Sequence, residues 1–195
     1  RQARLAMARI APTLDYSGFG SVDLVVEAVV ERMEVKQQVL REVEERVRPE
    51  TVLTSNTSSL SITMMQHALA RPENFCGMHF FHPVHRMPLV EIVRGAATTD
   101  ETVATVFALA LRLGKTPLVV NDGPGFLVNR LLAPYLNEAG WFLAEGASIE
   151  AIDRALRDFG MPMGPLRLLD EVGLDIARHV SEILYEAFGD RMRPA

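Results

Sequence analysis

The run Asp23-Leu-Val-Val-Glu-Ala-Val-Val30 is mostly apolar and rich in β-branched residues. Such a run is typical of a strand that is buried on both faces of a parallel sheet. Between Glu31 and Arg48 the pattern changes, and a valine recurs every four residues until Pro49. That period predicts an amphipathic helix, which the proline would end. A strand followed at once by a helix of this length predicts the beginning of a βαβ unit.

Apolar runs of strand length continue to alternate with helical patterns as far as residue 121. The further predicted strands cover residues 51–56, 75–81, 89–93 and 117–121. Helices are predicted over residues 1–10, 61–69 and 98–113. The last of these begins with a capping-box pattern at Thr98 and Glu101 and stops before Gly114. This alternation predicts an α/β fold with a mostly parallel sheet.

After Asn121-Asp-Gly-Pro-Gly125 the chain contains only helical patterns. They cover residues 126–145, 148–159 and 166–188. Pro134 predicts a kink in the first pattern, and Ser148 is the predicted N-cap of the second. We therefore divide the chain into an α/β domain, residues 1–122, and an all-helical domain, residues 123–195.

The composition is that of a globular protein with a sizeable core, since 48% of the 195 residues are hydrophobic and 23% are charged. The net charge of −5, with lysine and arginine dispersed, argues against a nucleic-acid partner. The single cysteine, Cys76, excludes an internal disulfide and fits a reducing compartment. No cysteine–histidine cluster has zinc spacing, so no metal is predicted. No apolar run approaches the roughly 20 residues that span a bilayer.

Two ionisable residues lie inside neighbouring apolar runs: His79 in one predicted strand and Glu91 in the next. If the two strands pair, the carboxylate reaches the imidazole, fixes its tautomer and stabilises its charged form. The other ring nitrogen is then a general base near neutral pH. A hydrogen-bonded core histidine is the competing interpretation of the same pattern.

Polar residues follow three of the predicted strands, over residues 27–31, 55–59 and 79–82. Open parallel sheets bind ligands at the carboxyl ends of their strands, so these residues are candidates for one site. Ser58 is either a donor to a substrate or cofactor oxygen or an ordinary turn residue. Asn129 is either an amide donor to the same site or a solvated helix residue. Lys36 either meets an anionic cofactor or lies on the surface.

Several ordered segments of the chain match one family: residues 22–31, 55–60, 77–84, 89–95, 114–122, 124–130 and 161–175. They resemble the L-3-hydroxyacyl-CoA dehydrogenases. Two segments are most similar to the dehydrogenase region of the bacterial multifunctional fatty-acid oxidation complex alpha subunit. They are His-Arg-Met-Pro at 85–88 and Pro-Thr-Leu-Asp-Tyr at 12–16. In that subunit the dehydrogenase is joined to an enoyl-CoA hydratase.

The resemblance implies reversible oxidation of L-3-hydroxyacyl-CoA to 3-ketoacyl-CoA, a step of fatty-acid β-oxidation, with NAD as cofactor. It makes His79 the general base and Glu91 the residue that orients it. Ser58 and Asn129 match positions that hold the reacting oxygen of the substrate. The positions that match residues lining the cofactor are Ala28, Glu31, Lys36 and Ser58.

The chain departs from the family pattern in two ways. The family usually has asparagine where this chain has His82, three residues after the base. The glycine-rich loop of the Rossmann-like domain has no counterpart, because no G-x-G-x-x-G occurs in the sequence. The chain is therefore predicted to be a fragment that holds the C-terminal half of that domain and part of the helical domain, and that binds NAD poorly.

Two other functions remain open from the sequence. One is a non-catalytic structural or interaction subunit on the same scaffold, and the other is a related dehydrogenase for a small hydroxy acid. For the intact protein, the resemblance implies a bacterial cytoplasmic enzyme with an acyl-CoA substrate. It also implies either a homo-oligomer or a complex with a thiolase subunit.

Overall fold

The structure is a computed structural model that describes residues 2–195, and within them it forms one five-stranded sheet. The strands are β1 (Leu24–Glu27), β2 (Val52–Ser55), β3 (Phe75–Phe80), β4 (Leu89–Arg94) and β5 (Thr116–Asn121). They lie side by side in chain order. Neighbouring strands are parallel except for β3 and β4, which are antiparallel. The prediction of a mostly parallel, Rossmann-like sheet is confirmed.

Helices precede, alternate with and follow these strands. Up to the end of the sheet they are α1 (Gln2–Met7), α2 (Met33–Glu44), α3 (Ile62–Gln66) and α4 (Asp100–Arg112). After β5 the helices are α5 (Val128–Ala144), α6 (Ile149–Phe159), α7 (Pro165–Val172) and α8 (Leu174–Phe188). Short 3-10 turns occur at Phe19–Ser21, Pro72–Asn74 and Gly189–Met192. The predicted order, an α/β part and then helices, is what the structure contains.

Alternation of side chains along the strands gives the sheet two apolar faces. The face that packs with α2 and α3 contains the buried side chains of Leu53, Phe75 and Val93. The face that packs with α4 contains those of Cys76, Met78 and Ile92. Because side chains alternate with a period of two, His79 and Glu91 lie on the first face. The sheet therefore directs both ionisable residues to the same side.

The first strand is shorter and more exposed than its sequence predicts. β1 ends at Glu27, and beyond it Val29 and Val30 are 39% and 62% exposed. Within the strand, Val26 is 41% exposed, so the prediction of burial on both faces is wrong. Among the described strands β1 has one neighbour, β2, so it forms an edge of the sheet. An edge strand keeps one side of its backbone unpaired and its side chains less covered.

The predicted cap of α4 is wrong by one residue. Thr99 is the N-cap, and its side chain accepts a hydrogen bond from the N–H of Thr102. The side chain of Thr98 is buried instead, where its hydroxyl donates to the carbonyl oxygen of Phe75 at 2.7 Å. Ser148 caps α6 as predicted. Tertiary hydrogen bonding thus decides which of two adjacent threonines caps the helix.

The helical part contributes its own buried contacts, which involve Ala139 of α5, Ile152 of α6 and Leu184 of α8. Pro134 lies inside α5, as the sequence indicates. Within the described part of the chain, no helix is long and apolar enough to cross a membrane. Residues 2–195 also contain no group of three or more His, Cys, Asp or Glu side chains that could hold a metal ion.

Close packing at Gly77 generates a test of the fold. A Cβ on Gly77 would lie 2.8 Å from the Cβ of Val93, its partner on β4, and 3.0 Å from Cδ1 of Ile62. We expect Gly77→Ala to lower the free energy of unfolding by about 1–3 kcal/mol, because β4 or α3 must move. Urea denaturation measures this loss. In the control Gly20→Ala, the Cβ meets only the carbonyl oxygen of Arg46 at 3.7 Å. Equal stability of both variants would contradict the close packing described around Gly77.

Candidate functional site

His79 and Glu91 face each other directly across the antiparallel strands β3 and β4. Nδ1 of His79 lies 2.9 Å from Oε2 of Glu91, and the two residues are 6% and 0% exposed. An ionised carboxylate only accepts hydrogen bonds, so Nδ1 carries the proton and donates it. This tautomer leaves the lone pair of the imidazole on Nε2. The contact that the sequence predicts between these two side chains is present.

The second carboxylate oxygen of Glu91 is held by the beginning of helix α5. Oε1 accepts hydrogen bonds from the backbone N–H groups of Leu127 at 3.0 Å and Val128 at 2.9 Å. N–H groups at a helix start have no partner within the helix, and the helix dipole favours a negative charge there. The buried carboxylate is therefore compensated by the helix on one side and by the imidazole on the other.

The linker between β5 and α5, residues 122–127, contains two successive left-handed residues. Gly125 has a φ of 69° and Phe126 a φ of 46°, and within residues 2–195 Phe126 is the one non-glycine residue with positive φ. This conformation costs a bulky residue about 1–3 kcal/mol, which surrounding contacts must offset. Phe126 is 2% exposed, and its ring centroid lies 5.8 Å from that of His79. The ring of Phe81 lies 4.5 Å from the same imidazole, which therefore has aromatic neighbours.

Ser58 and Asn129 meet where β2 ends and α5 begins. The side-chain amide of Asn129 donates to the carbonyl oxygen of Ser58 at 3.2 Å, so Asn129 is more than a solvated helix residue. The N–H of Ser58 donates to Oε1 of Glu31 at 3.0 Å. Nearby, Oδ1 of Asn56 accepts from the N–H of Phe80 at 2.9 Å and ties the end of β2 to the end of β3. Ser58 and Asn129 thus lie together at the carboxyl edge of the sheet.

Lys36 is a buried residue at this edge, not a surface lysine. Its Nζ lies 2.9 Å from Oε1 of Glu27 and 3.2 Å from Oε2 of Glu31, and it donates to the carbonyl oxygen of Val29 at 3.2 Å. Oε2 of Glu27 also accepts from the hydroxyl of Ser55 at 2.6 Å. Lys36 and Glu27 are 1% and 4% exposed. The three N–H groups of Lys36 therefore all have acceptors within the protein.

The carboxyl group of Glu31 is held in its charged form. Burial raises its pKa, but the hydrogen bond from Thr57, the charge of Lys36 and the hydrogen bond from Ser58 together lower the pKa below its ordinary value of 4.5. The hydroxyl of Thr57 and the N–H of Ser58 both donate to Oε1. The side chain of Glu31 remains 31% exposed. A charged acceptor is thus held in reach of solvent at the edge of the sheet.

The linker between β5 and α5 is anchored by Asp122. Its Oδ2 accepts from the hydroxyl of Ser61 at 2.7 Å and from the N–H of Thr63 at 2.8 Å. Its Oδ1 accepts from the N–H of Ile62 at 3.2 Å. These donors begin α3, so the carboxylate acts as a cap for that helix. The position of the chain just before the turn at Phe126 is therefore fixed by these hydrogen bonds.

The remaining predicted residues, Ala28 and His82, are exposed in the loops that follow β1 and β3. Their roles stay predictions. Phe126 and Asn56 contribute to the geometry but were not predicted from the sequence. The Pro-Gly pair before Phe126 indicates a turn, yet it does not reveal which side chain the turn buries. Asn56 could have been found from its position, because it is a polar residue at the predicted end of a strand.

An open, mostly parallel sheet with polar residues at its carboxyl edge is an architecture that binds nucleotides. Residues 1–123 match the family model of the 3-hydroxyacyl-CoA dehydrogenase NAD binding domain, and residues 125–195 match that of the C-terminal domain. The chain belongs to the 3-hydroxyacyl-CoA dehydrogenase family. The match to an NAD binding domain also confirms NAD as the predicted cofactor.

Several solved structures are similar to this chain. (S)-3-hydroxybutyryl-CoA dehydrogenase from Ralstonia eutropha is 43% identical with a TM-score of 0.95, over 100% of this chain and 71% of that one. 3-Hydroxybutyryl-CoA dehydrogenase from Escherichia coli K12 is 39% identical with a TM-score of 0.90, over 100% of this chain and 44% of that one.

A third similar structure is an NAD-dependent dismutase, 5-formyl-3-hydroxy-2-methylpyridine 4-carboxylic acid 5-dehydrogenase. It is 35% identical with a TM-score of 0.71, over 90% of this chain and 59% of that one. The chain therefore spans less than two thirds of the length of this protein and of the Escherichia coli enzyme.

The groups at the carboxyl edge fit part of a dinucleotide. The charged carboxylate of Glu31 and the hydroxyl of Ser58 suit ribose hydroxyls or a carboxamide, and the exposed Ala28 leaves room for close approach. A G-x-G-x-x-G loop, which cradles the pyrophosphate in many such proteins, is absent from the 195-residue sequence.

Removal of Lys36 tests the buried charge network. We expect Lys36→Met to lower the free energy of unfolding by about 3–5 kcal/mol at pH 7, since Glu27 would be left buried without its cation. The double variant Glu27→Gln/Lys36→Met should lose less than the sum of the two single losses. Urea denaturation of the four proteins measures this coupling. Strictly additive losses would contradict a network.

Proposed function

We propose that the intact protein oxidises the C3 hydroxyl of L-3-hydroxyacyl-CoA reversibly, with NAD, as a step of fatty-acid β-oxidation. The observation that carries the proposal is the buried contact of 2.9 Å between Nδ1 of His79 and Oε2 of Glu91. Membership of the dehydrogenase family supports it. The names of the relatives from Ralstonia eutropha and Escherichia coli, both 3-hydroxybutyryl-CoA dehydrogenases, also support it.

His79 is the general base in this proposal. Because Nδ1 donates to Glu91, Nε2 has the lone pair that accepts the proton of the C3 hydroxyl. The carboxylate of Glu91 stabilises the imidazolium that forms, and it keeps the ring from rotating. In the reverse direction, Nε2 returns its proton to the ketone oxygen.

Glu91 is organised for this task before substrate binds. Its Oε1 is already bonded to the N–H groups of Leu127 and Val128, so the side chain does not reorganise when the imidazole becomes charged. The aromatic rings of Phe81 and Phe126 beside His79 reduce the local polarity. Electrostatic attraction between imidazolium and carboxylate is stronger in such surroundings than in water.

Ser58 and Asn129 hold the reacting oxygen of the substrate. The Ser58 hydroxyl and the Asn129 amide are hydrogen-bond donors, and the contact of 3.2 Å between Asn129 Nδ2 and the Ser58 carbonyl keeps the two residues together. A donor aimed at an oxygen on which negative charge develops accelerates such reactions by about 10²–10³-fold. Deprotonation of the hydroxyl places charge on that oxygen.

Ala28, Glu31, Lys36 and Ser58 line the NAD site. Glu31 accepts hydrogen bonds from the cofactor. Ser58 lines the cofactor as an acceptor, because the one proton of its hydroxyl is donated to the reacting oxygen. Lys36 acts by holding Glu31 in place, because its own N–H groups already bind Glu27, Glu31 and Val29. When bound, NAD supplies the acceptor for the hydride that leaves C3.

A second candidate function is oxidation of a small hydroxy acid without coenzyme A. The observation that favours it is the similarity to the pyridine carboxylic acid dehydrogenase, whose name contains no CoA ester. The predicted bacterial cytoplasmic location, and the homo-oligomer or thiolase complex, belong to the proposal of the CoA-dependent enzyme. These features concern the intact protein.

An assay of NADH formation distinguishes the candidates. The full-length protein is supplied with NAD and either (S)-3-hydroxybutyryl-CoA or free (S)-3-hydroxybutyrate. The CoA-dependent function requires kcat/KM to be at least about 10²-fold higher for the CoA ester, a difference of roughly 2.7 kcal/mol. Equal values would favour the small-acid function, and no NADH from either substrate would favour a non-catalytic subunit.

Replacement of the base tests the mechanism itself. We expect His79→Gln in the full-length protein to lower kcat by about 10²–10⁴-fold, because the glutamine amide is not a base that can accept the proton of the C3 hydroxyl. Steady-state rates with (S)-3-hydroxybutyryl-CoA measure this loss, with His67→Gln, exposed at the end of α3, as the control. A loss below about tenfold, or 1.4 kcal/mol, would rule out His79 as the base.

A further inference from the structure

Phe126 has a backbone conformation that normally selects glycine. Its φ of 46° follows a glycine, Gly125, at φ 69°. Its own N–H donates to the carbonyl oxygen of Gly123 at 2.9 Å, so the turn is closed by a hydrogen bond. A residue with a Cβ is strained in the left-handed region, and observed strain of this kind is often found at functional sites. A phenylalanine here must therefore be retained by what its side chain contacts.

The ring of Phe126 contacts the candidate base. It is 2% exposed and belongs to the core cluster on the face of the sheet that carries His79. The two ring centroids are 5.8 Å apart and the ring planes are inclined at 59°, which lies within the range of favourable aromatic pairs. One side of the imidazole is thereby occupied by a buried aromatic surface.

The backbone of the same turn contacts the partner of the base. The two residues that follow Phe126, Leu127 and Val128, donate their N–H groups to Oε1 of Glu91 at 3.0 and 2.9 Å. Leu127 already has helical angles, with φ −99° and ψ −52°. The left-handed turn is therefore the place where the chain changes direction so that these N–H groups point at the carboxylate.

We propose that Phe126 is a positioning residue for the His79–Glu91 pair: its ring packs against the imidazole, and its left-handed backbone directs two N–H groups to the carboxylate. This inference rests on the proposed function. Phe126 acts through His79 and Glu91, and it restricts both the rotation of the base and the location of the carboxylate. The two halves of the pair are thus set by one residue of the linker before α5.

This role predicts a selective defect. Without the ring, the imidazole has a wider range of orientations, and its Nε2 is directed at the hydroxyl for a smaller part of the time. A misplacement of about 1 Å is enough to cost roughly 10²-fold in rate. Ser58 is held by hydrogen bonds with Asn129 and Glu31 that do not involve the Phe126 side chain, so ground-state binding should be preserved.

The kinetic test compares Phe126→Leu with Phe75→Leu in the full-length protein. Phe75 is 0% exposed and lies in the same core cluster, so the control removes an equal ring from the core. We expect Phe126→Leu to lower kcat at least tenfold, while KM for the CoA ester and for NAD changes less than about threefold. Phe75→Leu should lower the melting temperature but leave kcat within about twofold.

Nitrogen-15 NMR of the histidine side chains supplies a readout that does not depend on activity. In the wild type we expect one tautomer of His79, with the proton on Nδ1. In Phe126→Leu we expect a mixture of tautomers or exchange broadening of this signal. Phe75→Leu should keep the wild-type spectrum of His79, since it does not disturb the turn.

A second variant of Phe126 distinguishes the contribution of its ring from that of its left-handed backbone. Phe126→Gly removes the ring but favours the left-handed backbone, so kcat should fall as in Phe126→Leu. Wild-type kcat with a wild-type His79 signal in either variant would overturn the inference. If His79→Gln were active and the His79 signal still changed in Phe126→Leu, the proposed base would be wrong while the positioning role would stand.

Discussion

The carboxylate of Glu91 joins parts of the molecule that are distant in sequence. One oxygen binds the imidazole of His79 on β3, and the other binds two N–H groups where α5 begins. The side chain is fully buried, so water cannot replace a lost donor. The sheet, the linker after β5 and the helical part are therefore restricted to arrangements that satisfy this one charge. The same restriction sets the direction in which the imidazole of His79 presents Nε2.

The buried charges near the end of β1 are balanced in a different way. There a single ammonium group, that of Lys36, lies between the carboxylates of Glu27 and Glu31. One cation for two anions is insufficient by itself, and Glu31 gains additional donors from Thr57 and Ser58. Such a network leaves few groups free to rearrange. Rigid polar groups suit a site in which charge develops during reaction.

The strands β2 to β5 were predictable within one or two residues, because each is an apolar run bounded by turn signals. The end of β1 was not, since the apolar run continues to Val30 while the strand stops at Glu27. Burial of Lys36 depends on partners in other elements, which a local pattern does not contain. His79 and Glu91 could be paired from their places in two strands, whereas Phe126 becomes informative only through its backbone angle.

Strand register, rather than loop conformation, brings His79 to Glu91. In the β3–β4 ladder His79 is opposite Glu91, with Met78 opposite Ile92 beside it. A slip of one residue would turn Glu91 to the α4 face and place an aliphatic side chain opposite the imidazole. Molecules with mispaired strands would therefore be compact but would lack the proposed base–carboxylate pair. Under the proposed mechanism, the rate of turnover would report on correct β-strand pairing during folding as well as on chemistry.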